Sequence, residues 1–128
     1  MQLGSLDIES EGEIPVDFTC DGVDKSPQLM WSEAPNGTTS LSILVDDLDA
    51  PSGSFIHWSV SDISNQTRSV TTGTNGDGVG AVNGFGNEGW GGPCPPEGEI
   101  HRYIFSIMAY NESSTLIGKG TFIATYER

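Results

Sequence analysis

The stretch Ser40-Leu41-Ser42-Ile43-Leu44-Val45 decides the fold class. It opens with polar and apolar alternation and becomes continuously apolar, as a strand buried in a sheet does. Phe55 to Ile63 alternates around Ile56, Trp58 and Val60, while Tyr103 to Tyr110 and Gly120 to Tyr126 are rich in aromatic and β-branched residues. Those residue types suit a pleated, half-buried surface. Shorter strands are expected at Leu3 to Ile8, Ile14 to Thr19 and Leu29 to Trp31. No segment carries a sustained helical stripe with caps. Short strands separated by turn chemistry predict an all-β fold, an antiparallel β-sandwich of Greek-key type with little helix.

A chain of 128 residues and 13.6 kDa has room for one core, so residues 1–128 are expected to form one domain. Only 35% of the residues are hydrophobic, and 17 glycines with 7 prolines call for many turns. The longest turn-rich stretch runs from Thr72 to Gly98 and ends in Gly92-Pro93-Cys94-Pro95-Pro96. Stretches of this length are usually functional or disordered, and the stiff proline turn predicts order at the C-terminal part.

Charge excludes two classes of partner. With 18 acidic and 5 basic residues the net charge is -13. The cations Lys25, Arg68, Arg102, Lys119 and Arg128 are scattered, so no cluster could neutralise nucleic-acid phosphates. An anionic membrane surface would repel the chain. The shortage of lysine and the small side chains point to a salt-rich, halophilic setting, where screening removes self-repulsion. No apolar run reaches membrane-spanning length, and the start Met1-Gln2-Leu3-Gly4 leads into acidic sequence. A cytoplasmic protein is therefore expected, with Cys20 and Cys94 as packed, reduced thiols.

The chemistry-bearing residues gather around two turns. The apolar strand ending at Val45 meets Asp46-Asp47-Leu48-Asp49, which delivers carboxylates at the sheet's end. Alternation puts Asp47 and Asp49 on one side if the strand continues. His57 opens the next strand and is expected to pair with Asp47, since a neighbouring carboxylate fixes an imidazole's tautomer and favours its charged form. The second of the chain's two histidines, His101, follows the proline turn and opens another strand. Together these parts suggest one preformed polar pocket suited to a small anion. No Cys-x-x-Cys or His-x-x-x-His pattern occurs, so neither a metal nor another cofactor is expected, and an Asp/His calcium or zinc site is left as a weak alternative. Gly76-Asp77-Gly78-Val79-Gly80-Ala81 neither follows a strand nor opens a helix, which removes it as a dinucleotide fingerprint. No Gly-x-Ser-x-Gly elbow is present, and Cys94 lacks the helix N-terminus that would lower a nucleophile's pKa.

At these residues the sequence resembles the phosphatidylethanolamine-binding protein (Raf kinase inhibitor protein) family in its short bacterial and archaeal branch. The resemblance rests on Cys20-Asp21-Gly22, Ser26-Pro27-Gln28-Leu29 with Trp31, Asp47 through Pro51, His57-Trp58, Gly89 through Pro96, His101-Arg102-Tyr103 and Tyr126-Glu127-Arg128. It implies an antiparallel sandwich with a small anion cavity at one edge, taking phosphate-like or phospholipid head groups. Asp47 and His57 would form one wall, and Gly92, Cys94 and Pro95 another. His101 and Tyr103 would close the site, with Ala50, Pro51 and Phe55 at the rim. The resemblance also implies a binding role without catalysis, a kinase or protease as partner, and leaves a homodimer open. A small hydrolase using Asp47, His57 and His101 for acid-base chemistry is the alternative. Leu48 replaces the family's usual proline and Trp90 its usual tyrosine. Relatives carry a helical segment where this chain has only Asn111 to Gly118, and that loss is expected to leave the cavity more open.

Salt adaptation has a direct test. The urea midpoint should rise between low salt and molar KCl, and higher stability in low salt would refute the halophilic reading.

Overall fold

The computed structural model describes residues 1–128. Eight strands form two antiparallel sheets: β1 (Leu3–Gly4), β2 (Leu29–Trp31), β3 (Ser40–Asp47), β4 (Ile56–Ser64), β5 (Ser69–Val70), β6 (Val79–Gly80), β7 (Ile100–Tyr110) and β8 (Leu116–Glu127). The larger sheet runs β6-β4-β3-β7-β8 and the smaller β1-β2-β5. The only helical element is one 3-10 turn at Val16–Phe18. No helix is long and apolar enough to cross a membrane.

The β3–β7 pairing organises the core. It is unbroken from Ser40 opposite Tyr110 to Asp47 opposite Tyr103. Side chains alternate, so Leu41, Ile43 and Val45 point inward with Ala109, Ile107 and Phe105 directly across from them. The pairing of β7 with β8 extends this layer through Phe122 and Ala124, and Phe105 stacks on Phe122 at 4.7 Å. Leu29, Trp31 and Val70 of the small sheet complete a core of 19 buried apolar residues. The alternation of β3 persists to Asp47, two residues beyond the expected end, and leaves Leu44 half-buried on the outer face.

Two expected strands are cut short by side-chain chemistry. Pro15 has no N–H to continue the pairing that Ile14 makes with Thr125 O, and the chain turns into the 3-10 segment instead. Past Gly4, Asp7 Oδ2 accepts from Gln28 N at 2.7 Å and from the Thr72 hydroxyl at 2.6 Å, which holds the segment off the sheet. β5 and β6, two residues each, carry too few residues to show a period.

The cysteines overturn an expectation. Cys20 and Cys94 are bonded to each other, their Cα atoms 5.4 Å apart, and both are exposed rather than packed. The loop after the 3-10 turn folds back on the proline turn, with Cys20 N–H donating to Pro93 O at 3.2 Å. A sequence separation of 74 residues gave no local hint of this contact. Closing so long a loop restricts the unfolded chain and is worth about 2–4 kcal/mol. Under non-reducing denaturation a thiol reagent should find no free thiol, and reduction should lower the unfolding free energy by about 2–4 kcal/mol. Two free thiols before reduction would refute the bond.

Candidate functional site: a carboxylate and histidine pocket

The inward stripe that is apolar through the middle of the sheet turns polar at its end. Continuing the alternation of β3 past Val45 places Asp47 on the core face, and that of β7 before Phe105 places Tyr103 and His101 there. A register shift between Val45 and Asp46 gives β4 an extra residue at this point, so His57 and Trp58 are both buried. Trp58 enters the core and His57 enters the site, the kind of re-aiming that bulges produce beside functional sites.

A cavity of about 150 Å³ opens here. Eight of the ten residues expected at the site line it: Asp47, Ala50, Pro51, Phe55, His57, Cys94, Pro95 and His101. Gly92 stands behind the wall and Tyr103 is wholly buried beside the histidines, its ring 5.2 Å from that of His57. Phe85 and Pro96 also line the cavity and were not anticipated. Phe85 packs edge-on against Phe55 at 4.8 Å, and one phenylalanine in a glycine-rich loop gives no sequence signal of that contact. An open groove of about 600 Å³ beside the small sheet is larger, but Arg68 is its only ionisable lining residue.

The expected Asp47–His57 hydrogen bond does not form. Asp47 pairs with His101 instead, Nδ1 to Oδ2 at 2.7 Å, both side chains less than a tenth exposed. His101 Nε2 meets Glu99 Oε1 at 2.9 Å. Carboxylates only accept, so both ring nitrogens carry protons and His101 is an imidazolium. Burial opposes that charge, but the hydrogen bonds to Asp47 and Glu99 outweigh it and raise the pKa above 6.5. His57 behaves oppositely. Burial lowers its pKa below 6.5, against the Gly91 carbonyl that accepts from Nδ1–H at 2.6 Å. That bond fixes the neutral tautomer, and Nε2 is left without a partner in the chain.

The other polar groups are largely committed. Asp49 does not share Asp47's side; it turns out to Arg102, whose Nη2 and Nε donate at 2.8 and 3.0 Å, and this holds its pKa down at about 2. Asp46 accepts from Phe55 N–H at 2.9 Å and fastens the turn. The Tyr103 hydroxyl is buried with no partner, and burial first, then the charges of Asp47 and Asp49, raise its pKa.

The wall is braced by the loop from Phe18 to Asp24. Trp90 Nε1–H donates to Phe18 O at 3.2 Å, Gly92 N–H to Asp24 Oδ1 at 2.9 Å and Arg128 Nη1 to Pro95 O at 3.2 Å, beside the disulfide. A Cβ at Gly92 would overlap Phe18 O and the Asp24 carboxylate, so only glycine permits this approach. The Asn111–Thr115 turn joins β7 to β8 at the Tyr110 end, nine residues or roughly 30 Å along the strand from His101. None of its residues lines the cavity.

With this geometry, comparison with known proteins is direct. The family described as phosphatidylethanolamine-binding protein matches residues 4–127. The chain belongs to that family. A UPF0098 protein of Aquifex aeolicus is 42% identical over 121 residues, covering 89% of this chain and 70% of its own. A Mycobacterium tuberculosis protein named as the lipoprotein LppC is 41% identical over 96 residues, covering 73% of this chain and 47% of its own. Among solved structures, a Chlamydia trachomatis homologue of the family superposes with a TM-score of 0.90 at 30% identity, over 99% of this chain and 97% of that one. Escherichia coli YbcL gives 0.90 at 27% identity, over 99% and 98%. The antiparallel sandwich expected from the sequence is thus the family fold.

The two histidines carry opposite pH signatures. A raised folded pKa at His101 adds stability that is complete below 6.5 and is lost as pH rises through that folded value. The depressed pKa of His57 instead removes stability as pH falls below 6.5, because the unfolded chain takes up a proton that the folded one refuses. In Asp47→Asn the carboxamide still accepts from Nδ1–H but carries no charge. His101 should then titrate at lower pH by NMR, and Asp47→Ala should cost about 3–5 kcal/mol near pH 6. An unmoved His101 titration would mean the pair is absent.

Proposed function

We propose that the pocket captures a small oxyanion, a phosphate or phosphate monoester of the kind that phospholipid head groups present, and does so without catalysis. One observation carries this reading: the Tyr103 hydroxyl has no acceptor in the protein and is buried behind the cavity lining, on a ring packed against His57. A buried donor left unpaired costs about 1–3 kcal/mol, and a ligand oxygen would remove that cost. His57 adds a second contact through its unpartnered Nε2. That atom accepts in the neutral ring, so it would receive a proton from a monoprotonated phosphate or take one up to donate. The Cys94 N–H, also without an intramolecular acceptor, is a second donor and a third contact at the wall. The family's name and the cavity's size support a head-group fragment over a large ligand.

Acid-base hydrolysis is less well supported. Both nitrogens of His101 are occupied by carboxylates, and Cys94 is consumed in a disulfide. Inhibition of a kinase or protease would act at the pocket mouth, where Phe85 is 48% exposed and offers an apolar handle. Disulfides persist in oxidising compartments. The exposed Cys20–Cys94 bond therefore favours such a compartment over the expected cytoplasm, in keeping with a relative named as a lipoprotein.

Tyr103→Phe separates binding from stability. Removing a buried, unpartnered hydroxyl should leave the fold intact and raise the unfolding free energy by up to about 1–3 kcal/mol, the cost of the unpaired group. Phosphate and phosphoethanolamine affinity, followed by histidine NMR in molar KCl, should fall about tenfold. Unchanged affinity in the folded variant would overturn the assignment.

A further inference from the structure

We infer that Glu99 is a tethered competitor for the pocket's positive charge and thereby selects which anions enter. The inference rests on the oxyanion reading above. None of the cavity-lining residues is lysine or arginine. Arg102 is bound to Asp49 and Arg128 to Asp21, which leaves the imidazolium of His101 as the one full positive charge at the site. Its Nδ1–H is held by Asp47, whose side chain is 8% exposed and fixed by a second hydrogen bond from Asp49 N–H. Its Nε2–H is held by Glu99, whose side chain is 53% exposed. The two carboxylates therefore differ in kind. Asp47 is built into the cavity wall, whereas Glu99 lies outside the lining and reaches His101 from the surface.

Glu99 and His101 are two residues apart where β7 begins, so alternation keeps their side chains on one face. A short tether of this sort holds its group at an effective concentration in the millimolar range or above. An incoming carboxylate gains from His101 nothing that Glu99 does not already supply, and it must displace a partner that never diffuses away. A monoprotonated phosphate monoester brings more charge, acceptor oxygens for His101 and Tyr103, and a hydroxyl that can donate to His57 Nε2. Glu99 thus excludes simple carboxylates and admits phosphates. Its role is one of specificity, and the fold does not depend on it.

The test compares wild type, Glu99→Ala and Glu99→Gln, titrated with inorganic phosphate and with acetate while the ¹⁵N resonances of His101 are followed. Wild type should bind phosphate and ignore acetate. In Glu99→Ala, phosphate affinity should rise about tenfold, the worth of one charge-assisted hydrogen bond, and acetate should bind with a shift at His101 Nε2. Glu99→Gln, which keeps an acceptor without the charge, should fall between them. Equal phosphate affinity in all three proteins would overturn the filter and leave the anion pocket standing. Binding of neither anion by any of the three, all folded, would remove the anion pocket and the filter with it.

Discussion

Asp47 and His101 meet at 2.7 Å with less than a tenth of either side chain exposed, and the site is arranged around that contact. Two charged groups in the interior are tolerable only when paired and hydrogen-bonded. Asp47 meets this condition by accepting from His101 Nδ1–H and Asp49 N–H, and His101 by donating to Asp47 and Glu99. The pair forms because β3 and β7 hold one register over eight residue pairs, so the row that buries Leu41, Ile43 and Val45 must next bury Asp47. A slip of one residue would turn the core face of the slipped strand outward, so the packing of the middle of the sheet enforces the chemistry at its end.

The second constraint comes from the opposite wall. Its residues, from Trp90 to Pro95, form no strand and would have few backbone partners of their own. The Phe18–Asp24 loop supplies them, through three hydrogen bonds and the Cys20–Cys94 bond. A pocket needs rigid walls to hold its donors in place before the ligand arrives. Here one wall is made rigid by the sheet and the other by a cross-link to a loop more than sixty residues away in sequence.

Electrostatics sharpen the reading of the pocket. A net charge of -13 repels anions at long range, and salt screens that repulsion beyond roughly 10 Å. Within the cavity the contacts are shorter than the screening length, and their balance depends on individual protons. His101 is charged but shared between two carboxylates, and His57 is neutral with one nitrogen free. Burial lowers the pKa of His57 and the carboxylates beside His101 raise its own, so one ring is biased toward its neutral form and the other toward its charged form.

The β architecture was legible along the chain, because Ser40 to Val45 opens in polar and apolar alternation and Tyr103 to Tyr110 is rich in aromatic and β-branched residues, both of which suit a sheet. The sequence also determined which residues are chemically able, since two histidines beside acidic and proline turns leave few candidates. Its local patterns could not assign partners. Asp47 is ten residues from His57 and fifty-four from His101, yet it bonds to the distant one. The bulge in β4 turns His57 toward Gly91, and bulges follow from strand pairing rather than from composition. Phe85 and the disulfide were hidden for the same reason: each depends on where a turn-rich segment comes to rest. Periodicity is a local property of the chain and can be read along it. Hydrogen-bond partners across the sheet are set by register, bulges and loop closure, which exist only once the strands have packed.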